Sequence, residues 1–239
     1  EKLSALILQD PALTAKLISI ANLTFYSKGR GGDSIEDAIA RIGLRDVSLL
    51  IVSITNKSMY MKASGIFAER LAALWTHSFA TATCARIIGN NLKTDKPDRL
   101  FFMGLLHDIG KVMLLTVLSE LAKKRTVTAQ NLDETLNQLH VRFGKAVVDQ
   151  WNMSDDFVHV VERHHDIAEM AKYAQETQII AFANILVRKL GYSLIADDGA
   201  DLAGLADSEL AKLLSLDENK IAAILEATDK YVSSMKAGV

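Results

Sequence analysis

Across 239 residues the chain places only two prolines, Pro11 and Pro97, and fills the stretches between them with Ala, Leu and Ile recurring every three or four positions. That recurrence returns apolar side chains to one face of an α-helix, and strand-like alternation is rare. Proline is the residue that most firmly stops a helix, so its scarcity leaves little to break the pattern. The chain is therefore predicted to be all-α, a multi-helix bundle. With 49% of its residues hydrophobic it can bury a substantial core, as one large domain or two small ones.

Local signals punctuate the helices. Asp10-Pro11 pairs an N-cap acceptor with a proline at the first helical position, and Leu13, Leu17, Ile18 and Ile20 form an inward stripe that stops near Asn22. A loop with Gly29, Gly31 and Gly32 follows. Ser34-Ile35-Glu36-Asp37 then resembles a capping box opening a helix that Gly43 closes. Val47 to about Met61 is helical but β-branched, and the Met61–Gly65 stretch reads as a junction. Beyond it, helices are predicted over Phe67 to Asn91, Arg99 to Asp108, Asn131 to Val148, Asp155 to His165 and Thr177 to Leu190, the last capped by Gly191. Lys93 to Asp98 is predicted as a polar loop, and two short helices from Ser208 and Asp217 end the chain.

A net charge of −2 gives no electrostatic reason to expect nucleic acid, and Lys123-Lys124-Arg125 reads as a solvated helix end. A single cysteine, Cys84, cannot form an internal disulfide, which agrees with a reducing compartment and a cytoplasmic location. Apolar stretches such as Val112 to Leu118 are interrupted before the roughly 20 residues needed to cross a bilayer, so no span is expected. The chain opens with Glu1, directly in helical pattern, and reads as part of a longer one.

The chemistry-bearing residues are His77, the pair His107-Asp108, His140 and the doublet His164-His165. Imidazole nitrogens together with carboxylate oxygens suit a borderline-to-hard divalent ion, which can polarise a phosphoryl oxygen. The alternative is that these groups hydrogen-bond one another or nearby backbone within the core. Adjacent side chains on a helix diverge by about 100°, so of His164 and His165 one is expected inward and one outward. His159 carries no motif, Met103, Met113, Met153 and Met170 read as core filler, and Trp75 and Trp151 as core anchors.

His107-Asp108-Ile109-Gly110-Lys111 resembles the motif of the HD superfamily of metal-dependent phosphohydrolases, including its HD-GYP phosphodiesterases. The run Asp10 to Leu17, Ala21-Asn22, Ala38-Ile39, Ile42-Gly43, Gly104 to Gly110, His140 with Gly144, Trp151 and Glu162-Arg163-His164-His165 is similar to the HDOD pattern (HD-related output domain) over roughly residues 6 to 190. The resemblance implies an N-terminal helical subdomain over 1–63, an HD-like helical core over 64–195 and a C-terminal tail over 196–239 packed on that core. It implies His77, His107 and Asp108 as metal ligands, and Lys111 as a phosphate contact. His140, His164 and His165 match further HD-GYP positions, as candidates for a second metal position or for its surroundings. Where the superfamily places a fourth, carboxylate ligand, this chain has Asn184, a neutral and weaker one. The Gly-Tyr-Pro signature is missing after the His doublet.

Two functions are thus expected of such a chain. One is a bacterial signal-transduction module with a degenerate metal site, non-catalytic, acting through a protein partner or a nucleotide, with no membrane or nucleic-acid surface. The alternative is a metal-dependent phosphohydrolase. A divalent transition metal, Mn, Fe, Zn or Ni, is implied by the second and not required by the first.

Overall fold

The computed structural model describes residues 2–23, 34–61, 63–122, 128–193 and 202–236. Every regular element among them is helical, as the periodicity predicts. Gly29, Gly31 and Gly32, the junction residue Lys62 and the Lys123-Lys124-Arg125 run lie outside the described residues. The chain divides into two compact units, one of Glu1–Ser58 with Asp229–Val239 and one of Met59–Thr228.

The first unit is built from α1 (Lys2–Ile7), α2 (Pro11–Ala21), α3 (Ile35–Ile42) and α4 (Leu44–Tyr60) up to Ser58, with the end of the last helix. Asp10 caps α2 as predicted, its Oδ1 accepting from the Ala12 and Leu13 amides at 3.0 Å each. Ser34 caps α3 by accepting from Asp37 N–H. The core of this unit is the apolar stripe of these helices, with Leu17, Ile20, Ile35, Ala38, Val47 and Leu50 all buried.

The second unit runs through α5 (Ile66–Asn91), α6 (Pro97–Leu106), α7 (Ile109–Ala122), α8 (Ala129–Gln150), α9 (Asp155–Arg163), a 3₁₀ turn (Ile167–Lys172), α10 (Gln175–Lys189), α11 (Leu202–Asp207), α12 (Glu209–Leu213) and α13 (Glu218–Lys236) up to Thr228. The long α5 is the central post, packed by α6, α7 and α10. Its middle, from His77 to Ala85, is buried on every face. Small side chains there let neighbours come close: a Cβ on Gly104 would stand 2.7 Å from the Ala82 Cα.

Several expectations are corrected here. Pro97 opens α6 instead of lying in the loop before it, since proline lacks only a donor that the first helical turn leaves unpaired. His107 and Asp108 do not end one helix that Gly110 releases; they form the two-residue turn between α6 and α7, and Gly110 lies inside α7. The Pro97–Ala122 stretch is apolar and long enough by composition to cross a membrane, but this turn breaks it, and two thirds of its most apolar window is buried. Trp151, expected in the core, caps the end of α8 and is 42% exposed. Trp75, Met103 and Met170 are buried as predicted, whereas Met113 and Met153 are half-buried and His159 is exposed.

Candidate metal centre

Five segments of the second unit converge on the cluster around Asp108. His77 comes from the middle of α5, His107 and Asp108 from the α6–α7 turn, and His140 from α8; His164 caps α9, with His165 next to it, and Asn184 comes from α10. The approach of α8 depends on glycine. A Cβ on Gly110 would lie 1.8 Å from the His140 carbonyl oxygen and 2.6 Å from the Gly144 amide nitrogen. Only a residue without a side chain at Gly110 lets α7 and α8 touch there and carry His140 to Asp108.

Four imidazoles are oriented by main-chain carbonyls. The Nδ1 of His77 lies 2.7 Å from Tyr192 O, that of His107 2.8 Å from Gly104 O, that of His140 2.8 Å from Leu136 O, and that of His164 3.0 Å from Val160 O. A carbonyl can only accept, so each Nδ1 carries the proton and each neutral ring turns an Nε2 lone pair the other way. The Tyr192 carbonyl is itself set by the end of α10. Gly191 takes a left-handed φ of +80°, and its N–H bonds Arg188 O while that of Tyr192 bonds Val187 O, a Schellman cap.

The four Nε2 atoms face the Asp108 carboxylate. His77 and His107 stand 3.6 and 3.4 Å from Oδ2, and His164 and His140 stand 3.5 and 3.8 Å from Oδ1. Asp108 is 0% exposed. Oδ2 also receives Lys111 Nζ at 2.7 Å, whereas Oδ1 and the Nε2 atoms of His107, His140 and His164 are buried with no hydrogen-bond partner. Lone pairs therefore face lone pairs, an arrangement that costs about 1–3 kcal/mol for each unpaired atom unless a cation lies between them. The donors form two groups sharing Asp108: His77, His107 and Asp108, and Asp108, His140, His164 and His165. Their chemistry and spacing fit a divalent ion on either side of the carboxylate.

The protonation states suit this. Burial pushes His77 and His140 down to about 4, against the pull of Asp108. Burial likewise holds His107 far below the ordinary histidine range. For Asp108 burial opposes ionisation, but the Lys111 ammonium beside it prevails and keeps its carboxyl well below the usual range. At neutral pH an ionised Asp108 is thus faced by the neutral imidazoles of His77, His107 and His140, ready for a metal without first losing protons.

The cluster opens on a cavity of about 120 Å³ lined by His77, Asp108, Lys111, His165, Asn184 and Arg188, among others. All the residues singled out in the sequence as ligands or as a phosphate contact thus meet at one place. The doublet follows the expectation of one residue inward and one outward, His164 buried and His165 exposed; because α9 ends at Arg163 the two rings nonetheless lie 4.1 Å apart. Sequence reasoning passed over Arg188, whose signal was its position one helical turn after Asn184, and the carbonyl anchors, which carry no side-chain signature.

A family model described as the HDOD domain matches residues 1–167. A curated relative, an uncharacterised protein of Treponema pallidum (strain Nichols), is 25% identical over an alignment 200 residues long that covers 78% of this chain and 37% of that protein, so the chain spans little more than a third of it. Among solved structures, an HDOD domain protein of unknown function from Geobacter sulfurreducens is matched with a TM-score of 0.75 and 24% identity, over 99% of this chain and 84% of that one. A Shewanella amazonensis SB2B protein whose name proposes a metal-dependent phosphohydrolase follows, at 0.71 and 22%, over 98% and 83%. A Marinobacter aquaeolei VT8 protein whose name proposes signal transduction is matched at 0.63 and 18%, over 98% of this chain and 53% of that one. At these identities the three structures establish the all-α fold.

Proposed function

This chain belongs to the HDOD domain family, and on that premise we propose that it is a signalling module organised around a divalent-metal centre at Asp108. One observation carries the reading. The buried Nε2 atoms of His107, His140 and His164 and the Asp108 Oδ1 converge with no partner, which a packed, hydrogen-bonded core would not tolerate. A purely structural His-Asp cluster would instead turn N–H donors toward the carboxylate.

His77 and His107 would hold one ion with Asp108, and His140, His164 and His165 a second. Nitrogen donors beside a single carboxylate favour Mn, Fe, Zn or Ni. When bound, such an ion supplies Lewis acidity toward a phosphoryl oxygen. Lys111 presents an ammonium on the same wall, and Asn184 supplies a neutral amide where a carboxylate would add charge. That missing charge favours a module that binds a phosphate-bearing ligand, such as a nucleotide, and signals its presence to a protein partner without turning it over.

The second reading, metal-dependent phosphohydrolysis, is favoured by the cavity beside the ligand set. Hydrolysis of bis(p-nitrophenyl) phosphate by the Mn²⁺-loaded protein separates the two. The module reading predicts background rates with metal bound. Turnover that is lost in Asp108→Asn would make the chain an enzyme and overturn its non-catalytic assignment.

A further inference from the structure

The charges on the cavity wall do not cancel evenly. Asp108 is paired with Lys111 at 2.7 Å. Asp133, the other carboxylate there, is taken by Arg70, whose Nε and Nη2 reach its two oxygens at 2.9 Å each. Arg188 is the cation left over: among the described residues it has neither a carboxylate within ion-pair distance nor a hydrogen bond from its guanidinium. It is half-buried on α10, one turn beyond Asn184, so its backbone is fixed by the same helix that supplies the amide at the metal cluster. Asn137, also on the cavity wall, adds an amide with no hydrogen-bond partner among the described residues.

A guanidinium on the wall of this cavity, with no internal counter-charge, matches an anion with several oxygens, and phosphate above all. On the metal-centred reading, Lys111 and the metal cluster would serve one phosphoryl group. We propose that Arg188 anchors a second one, so that the ligand class of this site is a diphosphate or a more extended polyphosphate rather than a lone phosphate monoester. This rests on the proposed metal-centred, phosphate-directed reading, and makes Arg188 a specificity-determining residue.

The test is a binding titration on the metal-loaded chain with AMP and with α,β-methylene-ADP, which differ by one phosphoryl group and cannot both be served by Lys111 alone. Metal content is measured on every sample. Wild-type protein is expected to prefer the diphosphate by about tenfold or more, the scale of one charge-assisted contact. Arg188→Ala should lose that preference while still binding AMP and retaining its metal, and Arg188→Lys should recover part of it. Equal preference in wild type and Arg188→Ala, or wild-type protein that holds metal yet binds neither nucleotide, overturns the proposal. Wild-type protein without metal would instead overturn the metal-centred reading on which it rests.

Discussion

At the scale of residues, the centre is defined by which nitrogen of each imidazole carries the proton. His77, His107, His140 and His164 spend Nδ1 on backbone carbonyls and keep Nε2 for the carboxylate. The metal-free protein stores this as a sensitivity to acid. His77 and His140 sit at about 4 in the folded state against an ordinary 6.5, so between those values the unfolded chain binds more protons than the native one. Stability is therefore full above about pH 6.5 and falls as pH drops toward 4. Thermal melts of metal-free protein across that range should show a declining midpoint, and a His140→Gln variant should decline less steeply. Asn184→Asp adds a carboxylate at the cavity and should raise divalent-ion affinity in a calorimetric titration; an unchanged affinity would place that side chain outside the coordination sphere. The adjacent His107-Asp108 pair was legible because adjacency survives in any alphabet, whereas the tautomers were not, because carbonyl acceptors belong to residues as ordinary as Leu136 and Val160.

At the scale of elements, convergence depends on two helices meeting backbone to backbone. The α7–α8 contact leaves no room for a methyl group at Gly110. Gly110→Ala should force these helices apart and cost at least the 1–3 kcal/mol or so typical of overpacking, read as a lower unfolding midpoint. It should also weaken metal binding, because His140 rides on α8. Helix existence was legible from three- and four-residue spacing, and the starts at Asp10 and Ser34 from their caps. The α6–α7 break was not, since Leu105-Leu106-His107-Asp108-Ile109 is continuous in helical pattern; the turn that ends α6 at Leu106 is visible only in the folded chain. Trp151 shows the converse, a large apolar residue that a helix end leaves at the surface.

At the scale of the whole molecule, the all-α class and family resemblance could be read from the chain, because periodicity and motif order are properties of sequence. The cavity could not, since Arg188, Asn137 and Lys111 lie on three helices that meet only in the folded unit. A ligand that binds the native state alone stabilises it, by about 2.7 kcal/mol at a hundred times its dissociation constant. Mn²⁺ or Zn²⁺ should accordingly raise the melting midpoint of the wild-type chain and leave that of Asp108→Asn unmoved. The most direct measurement is elemental analysis of protein purified without chelators, beside Asp108→Asn and His107→Ala. The account predicts near-stoichiometric or twofold transition metal in the wild type, lost in Asp108→Asn and diminished in His107→Ala. A wild-type protein that remains empty after loading with Mn, Fe, Zn and Ni would contradict it.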